Sequence, residues 1–280
     1  MNIADAWRFR LLNVAKQILF TKHWFSCQLS RFGLLKGNKH LYCPDFSLPI
    51  DLRSDSRPVV RRFVPHTGEL IASVLLFHGI GDKLHFWQLA QQRLADAGIS
   101  SCIFALPGYA KQGGPASRAH MEQDAITSYG WLVSQLPPHT PIFLLGFSLG
   151  SGLAAQVASC LSPPPTGVIL LEAFTSLRQA AIRAARPLSV LGYLIPDVWK
   201  TEENVAAMTM PLFLIHSHED RLFPAAMAEQ LLAAAHRGGV TAELALFRDY
   251  AHDAPYSSVP PDYWAAIVAF IKRTAISHGG

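Results

Sequence analysis

The chain has 280 residues, half of them apolar and 16% charged, a balance that can bury a large core and argues against disorder. Its formal charge is only +4, and the excess sits at the start: before Asp45 the one acid, Asp5, faces Arg8, Arg10, Lys16, Lys22, Arg31, Lys36 and Lys39. The remainder is near neutral and gives no case for a nucleic-acid groove, while the four cysteines, Cys27, Cys43, Cys102 and Cys160, are too scattered for a zinc site.

The first 50 residues form a basic, apolar extension. Trp7, Leu11, Val14, Ile18 and Phe25 recur at helix-like spacing, but Asp5, Arg8, Arg10, Asn13, Lys16 and Gln17 interrupt them. That interruption argues against a secretory signal or a spanning helix. Two readings stand: an arm packed on the domain, or a stripe lying on an anionic membrane surface. Unpaired cysteine usage makes a reduced, cytoplasmic setting the default, with peripheral membrane contact as an addition.

From about Val59 onward, residues 51–280 read as one domain of alternating strands and helices. Ser73–Phe77, Ile99–Ala105, Ile142–Leu145, Val168–Leu171, Leu212–Ile215 and Ala242–Phe247 are short strand-like runs, most of them nearly continuous in apolar residues, as expected of strands covered on both faces. Leu84–Ala97, Arg118–Leu136, Leu149–Leu161, Ala225–His236 and Asp262–Arg273 are the helical stretches between and after them. Repeated strand–helix units predict an α/β fold with a mostly parallel sheet and helices on both faces. The interval after Glu172 is longer than the other connections, and residues 174–205 are expected to form a small helical cap. The competing reading is a plain crossover helix with a long loop.

Three loops carry the chemistry. Gly146-Phe147-Ser148-Leu149-Gly150 follows an apolar strand and opens an Ala-rich helix. A serine on so tight a turn needs neighbours without bulk two residues away, hence Gly146 and Gly150. Upstream, a strand runs into His78-Gly79-Ile80-Gly81-Asp82, where the backbone N–H of Ile80, with that of Leu149, would hold an oxyanion. His78 is expected to shape this loop; Asp82 and His85 read as solvated residues at a helix start, with a place at the border of the pocket as the alternative.

A serine nucleophile needs an imidazole base, and that base needs a carboxylate to fix its tautomer. In the chain order Ser–acid–His, the strand Leu212–Ile215 leads to Asp220, with Glu219 as its rival, and Ala242–Phe247 leads to His252. His216 and His218 share the acid's own loop, and His236 reads as a helix-end residue. The expected triad is Ser148, Asp220 and His252, with no cofactor and no metal.

These residues resemble the serine α/β-hydrolases of the lysophospholipase, monoacylglycerol lipase and serine aminopeptidase-like group, and the ABHD-type acyl hydrolases. The resemblance runs from about Arg62 to Lys272 and rests on the loops above together with Glu172-Ala173-Phe174-Thr175-Ser176-Leu177. It implies an α/β-hydrolase fold and esterase, lipase or thioesterase activity on a small-molecule or lipid-like ester. Two positions depart from the group's pattern. Ala105-Leu106-Pro107-Gly108-Tyr109-Ala110-Lys111-Gln112 keeps only Gly108 of a commonly glycine-rich loop, and His216-Ser217 replaces His-Gly. Other readings are a peptidase or amidase with Glu172 as an amine anchor, an acyltransferase, and a non-catalytic binding protein on the same fold. Phe147, Leu188, Leu191, Tyr193 and Trp199, with the basic arm, favour an apolar acyl substrate near a membrane.

Overall fold

The computed structural model describes residues 59–107, 117–184, 197–252 and 259–278. The basic extension, the loop around Gly108 and residues 185–196, with Leu188, Leu191 and Tyr193, lie outside the described residues. Seven strands form one sheet: β1 Arg61–Val64, β2 Ala72–Phe77, β3 Ile99–Phe104, β4 Ile142–Phe147, β5 Gly167–Leu171, β6 Leu212–Ser217 and β7 Ala242–Phe247. Their spatial order is β1-β3-β2-β4-β5-β6-β7. Every pairing is parallel except that of β1, which runs antiparallel along β3 at the edge.

The helices are α1 Gln88–Asp96, α2 Arg118–Ser134, α3 Leu149–Val157, α4 Leu177–Ala184, α5 Thr201–Ala206, α6 Ala225–Arg237 and α7 Pro261–His278. A 3-10 turn, Leu84–Trp87, leads into α1, and another, Ala158–Cys160, follows α3. Strand side chains alternate between two cores, as a period of two requires. Leu75, Phe77, Leu144, Val168, Leu170, Leu212 and Leu214 face α2 to α6, where Met121, Ala125, Leu153, Val205 and Leu231 meet them. Val74, Leu76, Phe143, Leu145, Ile169, Phe213 and Ile215 face α1 and α7. The buried stripe of α7, Tyr263, Ile267, Phe270 and Ile271, recurs at helical spacing and covers that side. Ser117 caps α2, its Oγ accepting the His120 N–H at 3.2 Å.

Parts of the expected cap belong to the body. Trp199, a cap residue facing substrate in the sequence reading, is buried in the core below α3, and its Nε1–H donates to Glu122 at 2.9 Å. Thr201 and Val205 are buried as well, and Asn204 bonds Gln156 at 3.2 Å. At the start of the interval, Phe174 packs edge-on to Phe223, 5.5 Å between centroids. Among the described residues no helix is long and apolar enough to cross a membrane.

The topology has a direct consequence for function. β2, β4, β5, β6 and β7 point the same way, so the loops leaving them open on one edge of the sheet. His78, Ser148, Glu172, Asp220 and His252 all follow the ends of these five strands.

Candidate active site

Ser148 sits on the turn between β4 and α3 with φ 52° and ψ −117°, a left-handed backbone that a side chain rarely accepts. Its N–H donates to Leu171 O on the neighbouring strand, and Ser151 Oγ–H braces the turn by donating to Ser148 O at 2.6 Å. The two glycines are demanded by space. A Cβ on Gly150 would lie 2.1 Å from Phe77 O, and one on Gly146 would lie 2.5 Å from Gly150 O. Only with both bare can α3 start this close to β2 and β4.

Ser148, His252 and Asp220 meet in one chain of hydrogen bonds. Ser148 Oγ lies 2.9 Å from His252 Nε2, and His252 Nδ1 lies 2.6 Å from Asp220 Oδ2. The Asp220 carboxylate is only an acceptor, so Nδ1 carries the proton and Nε2 presents its lone pair to the serine hydroxyl. Asp220 Oδ1 accepts the N–H groups of Leu222 at 2.8 Å and Phe223 at 2.9 Å, which fixes the carboxylate within its own loop. Glu219, its rival in the sequence, is exposed and turned toward Ser217. Burial alone would raise Asp220, but His252 and His216 hold it well below the usual carboxylate range. Burial likewise pulls His252 down, and Asp220 and Glu172 more than offset it, so the imidazole stays above its ordinary value. Phe147 stacks on the imidazole at 5.6 Å and Phe223 meets it edge-on at 4.9 Å, which excludes water from two sides of the ring.

The loop after β2 is tied down by side chains on both flanks. His78 is buried; its Nε2 accepts the Leu106 N–H at 3.1 Å while Nδ1–H donates to Gly79 O at 2.8 Å. Burial lowers its pKa, in keeping with a neutral ring that both accepts and donates. Asp82 departs from the expected solvated position: it is buried, and its Oδ2 accepts from Gly79 N–H at 3.0 Å and Trp87 Nε1–H at 3.2 Å. His85 is exposed, as expected at a helix start. Ile80 therefore lies on a loop held from both ends. Leu149 is the first residue of α3, where an N–H has no carbonyl one turn earlier in the helix to bond.

Behind the acid lies a layer that the sequence signals only in part. Glu172 is fully buried with φ 49°; its Oε1 accepts the Tyr250 O–H at 2.6 Å and its Oε2 the Ser217 N–H at 3.0 Å. His216 Nε2 is 3.4 Å from Asp220 Oδ2 and 3.7 Å from Glu172 Oε2. Glu172, His216 and Asp220 each offer a ligand atom within 4.8 Å of the others, the arrangement of a possible cation site. However, His216 Nε2 lies 2.7 Å from Phe223 O, where it must carry a hydrogen and has no lone pair to give a metal. The cluster is a hydrogen-bond network.

Comparison with known proteins agrees with this architecture. A family model described as serine aminopeptidase, S33 (Hydrolase_4) matches residues 68–201. The lysophosphatidylserine lipase ABHD12 of Danio rerio is 26% identical over 49% of this chain and 40% of its own length. The uncharacterized protein Rv2307c of Mycobacterium tuberculosis is 31% identical over 62% of this chain and 61% of its own. The chain thus spans less than two thirds of these curated relatives. Among solved structures, a soluble variant of monoglyceride lipase from Saccharomyces cerevisiae superposes with a TM-score of 0.61 at 16% identity, covering 80% of this chain and 93% of that one. A carboxyl esterase from Bacillus coagulans gives 0.64 at 14%, covering 81% and 98%. The chain therefore has the α/β-hydrolase fold, and its similarity to the serine aminopeptidase, S33 model covers just under half of its length. The proteins that the chain resembles in sequence include lysophosphatidylserine lipase ABHD12 and an uncharacterized mycobacterial protein.

Proposed function

We propose that the protein is a serine hydrolase that cleaves carboxylic esters or thioesters of an apolar acyl group, with Ser148 as nucleophile, His252 as base and Asp220 as orienting acid. The observation that carries this reading is the unbroken chain of contacts at 2.9 and 2.6 Å from Ser148 Oγ through His252 to Asp220. Ser148 Oγ attacks the acyl carbon as its proton passes to His252 Nε2, and the imidazolium is stabilised by Asp220. The N–H groups of Ile80 and Leu149 donate to the carbonyl oxygen as negative charge develops on it. His252 then gives the proton to the departing alcohol or thiol, and water enters on the same base to release the acid.

The apolar acyl preference is supported by the company the site keeps. Phe147 and Phe223 flank the imidazole, and the relatives carry the names lysophosphatidylserine lipase and monoglyceride lipase. An aminopeptidase reading needs a free carboxylate to receive the substrate's amine. Glu172 does not supply it, since it is fully buried and both of its oxygens are already taken by Tyr250 and Ser217. The basic segment before Asp45 would hold the enzyme at an anionic membrane surface, as an extension over residues 1–50 to the hydrolase domain of residues 51–280. Of residues 174–205, expected as the cap, Phe174, Trp199, Thr201 and Val205 are buried in the body, so a cap would come from the remainder of that interval.

A panel of p-nitrophenyl esters of rising chain length, with a matched anilide, tests the reaction class. Ester turnover that peaks beyond acetate and is lost in Ser148→Ala supports the proposal. Faster turnover of the anilide would favour an amidase, and acyl transfer to added alcohol in preference to water would favour a transferase. Sedimentation with phosphatidylserine vesicles tests the membrane contact: equal binding with and without the first 44 residues would end that part of the proposal.

A further inference from the structure

Building on the serine-hydrolase reading, we propose that Glu172 is a positioning residue whose buried carboxylate clasps the loop carrying Asp220 to the loop carrying His252. Each oxygen of Glu172 holds one of the two loops. Oε2 takes the N–H of Ser217, three residues before Asp220, and Oε1 takes the hydroxyl of Tyr250, two residues before His252. The loops are also joined directly, Ser217 Oγ–H donating to Tyr250 O. Glu172 occupies the end of β5, between the strand that leads to Ser148 and the strand that leads to Asp220.

Two costs mark the position. Glu172 is a non-glycine residue with a left-handed backbone, and it is a carboxylate removed from water. Both serve the same contact, because this conformation at the strand end sends the two oxygens to the two loops. Two donors on two oxygens is the pattern of an ionised carboxylate. The titratable groups facing Glu172 are His216 and Asp220 from the acid loop, Tyr250 and His252 from the base loop, and Tyr263 from α7. Burial pushes Glu172 up to about 7, Asp220 adds to the rise, and His216, His252 and the Tyr250 hydroxyl oppose it. The charge of Glu172 in turn raises His252.

Glu172→Gln keeps the shape but turns an amide –NH2 toward one of the two donors and removes the charge. A clasp that positions the acid–base pair then has two signatures. The turnover per active site falls about tenfold to a hundredfold with KM little changed, since small displacements of a catalytic pair cost this much. The acid limb of kcat/KM moves to lower pH, since His252 loses a charge that raises it. A merely structural residue would reduce the yield of folded protein and move neither quantity. The experiment titrates active sites by labelling to completion with a fluorophosphonate, then measures ester turnover per labelled site against pH. Tyr250→Phe, which releases one loop and keeps the charge, is expected to lower turnover by less and to leave the acid limb in place. Wild-type turnover per site and an unmoved acid limb in Glu172→Gln would overturn the proposal. If that variant does not fold, unchanged turnover per site in Tyr250→Phe overturns it instead. A folded wild type that takes no label would remove the serine-hydrolase reading itself, and the clasp with it.

Discussion

Replacing Asp220 by Asn tests how the acid acts, because the structure dictates which way the new amide must turn. With its carbonyl oxygen in the place of Oδ1, the introduced side chain keeps the bonds from Leu222 N–H and Phe223 N–H, now 2.8 and 2.9 Å, and presents –NH2 to His252. The flipped amide would face those two N–H groups with its own donors, leaving buried polar groups unpaired at about 1–3 kcal/mol each. The His216 Nε2–H, 3.4 Å from the other oxygen, favours the flipped form by one longer contact, which does not offset two. The –NH2 therefore meets His252 Nδ1, which must accept, and the ring takes the opposite tautomer with its proton on Nε2. That nitrogen then donates toward Ser148 Oγ and cannot take its proton. In serine hydrolases built on this logic such a tautomer error costs about 10⁴-fold in kcat, or about 5.5 kcal/mol of transition-state stabilisation. The assay is steady-state hydrolysis of p-nitrophenyl butyrate by wild type and Asp220→Asn, with circular dichroism to show that both are folded. Activity in the folded variant within tenfold of wild type would refute the assignment of Asp220 as the orienting acid.

Two further outcomes follow from the same geometry. Because His252 must be neutral to accept a proton and is held above its ordinary value by Asp220 and Glu172 against the effect of burial, kcat/KM should fall as pH drops through a midpoint above about 6.5; a pH–rate profile checks this, and a midpoint below that value would contradict it. Gly150→Ala forces a methyl group into Phe77 O at 2.1 Å, so α3 must shift; thermal unfolding should report a loss of about 1–3 kcal/mol, with ester turnover lost in proportion to the displaced elbow.

The parts of this architecture that follow from hydrophobic pattern and chain order are legible in the sequence. Most of the six expected strands are nearly continuous apolar runs because both faces of the sheet are covered there, although β3 carries Ser100 and Ser101 and the partly exposed edge strand β7 carries Glu243; each run matches its strand to within two residues at either end. The seventh, Arg61–Val64, is an antiparallel edge strand that is only half buried, and its Arg-Arg-Phe-Val sequence shows no such run. In the interval expected as a cap, α4 and α5 are short, and the tight burial of Trp199 under Gly152 depends on contacts distant in sequence. Gly146 and Gly150 betray the elbow because a steric requirement allows no other residue. Asp220 is separated from Glu219 only by which carboxylate the loop turns inward. His216 shares the acid's loop and takes no part in the expected triad, yet its ring approaches the same Asp220 oxygen that His252 holds. Asp82 reads as a solvated helix start, yet the neighbouring Trp87 and Gly79 N–H groups draw it into the interior. Glu172 reads either as a substrate anchor or as a structural hydrogen-bonding group. Its two partners, Ser217 and Tyr250, lie 45 and 78 residues away, beyond any local pattern.

The most direct measurement is fluorophosphonate labelling of the purified protein, followed by peptide mass spectrometry to locate the adduct, in wild type and Ser148→Ala. An activated serine at the head of the Ser148–His252–Asp220 chain predicts one adduct, on Ser148, that is absent from the variant. A folded wild-type protein that takes no label, or an adduct that persists in Ser148→Ala, would contradict Ser148 as the nucleophile.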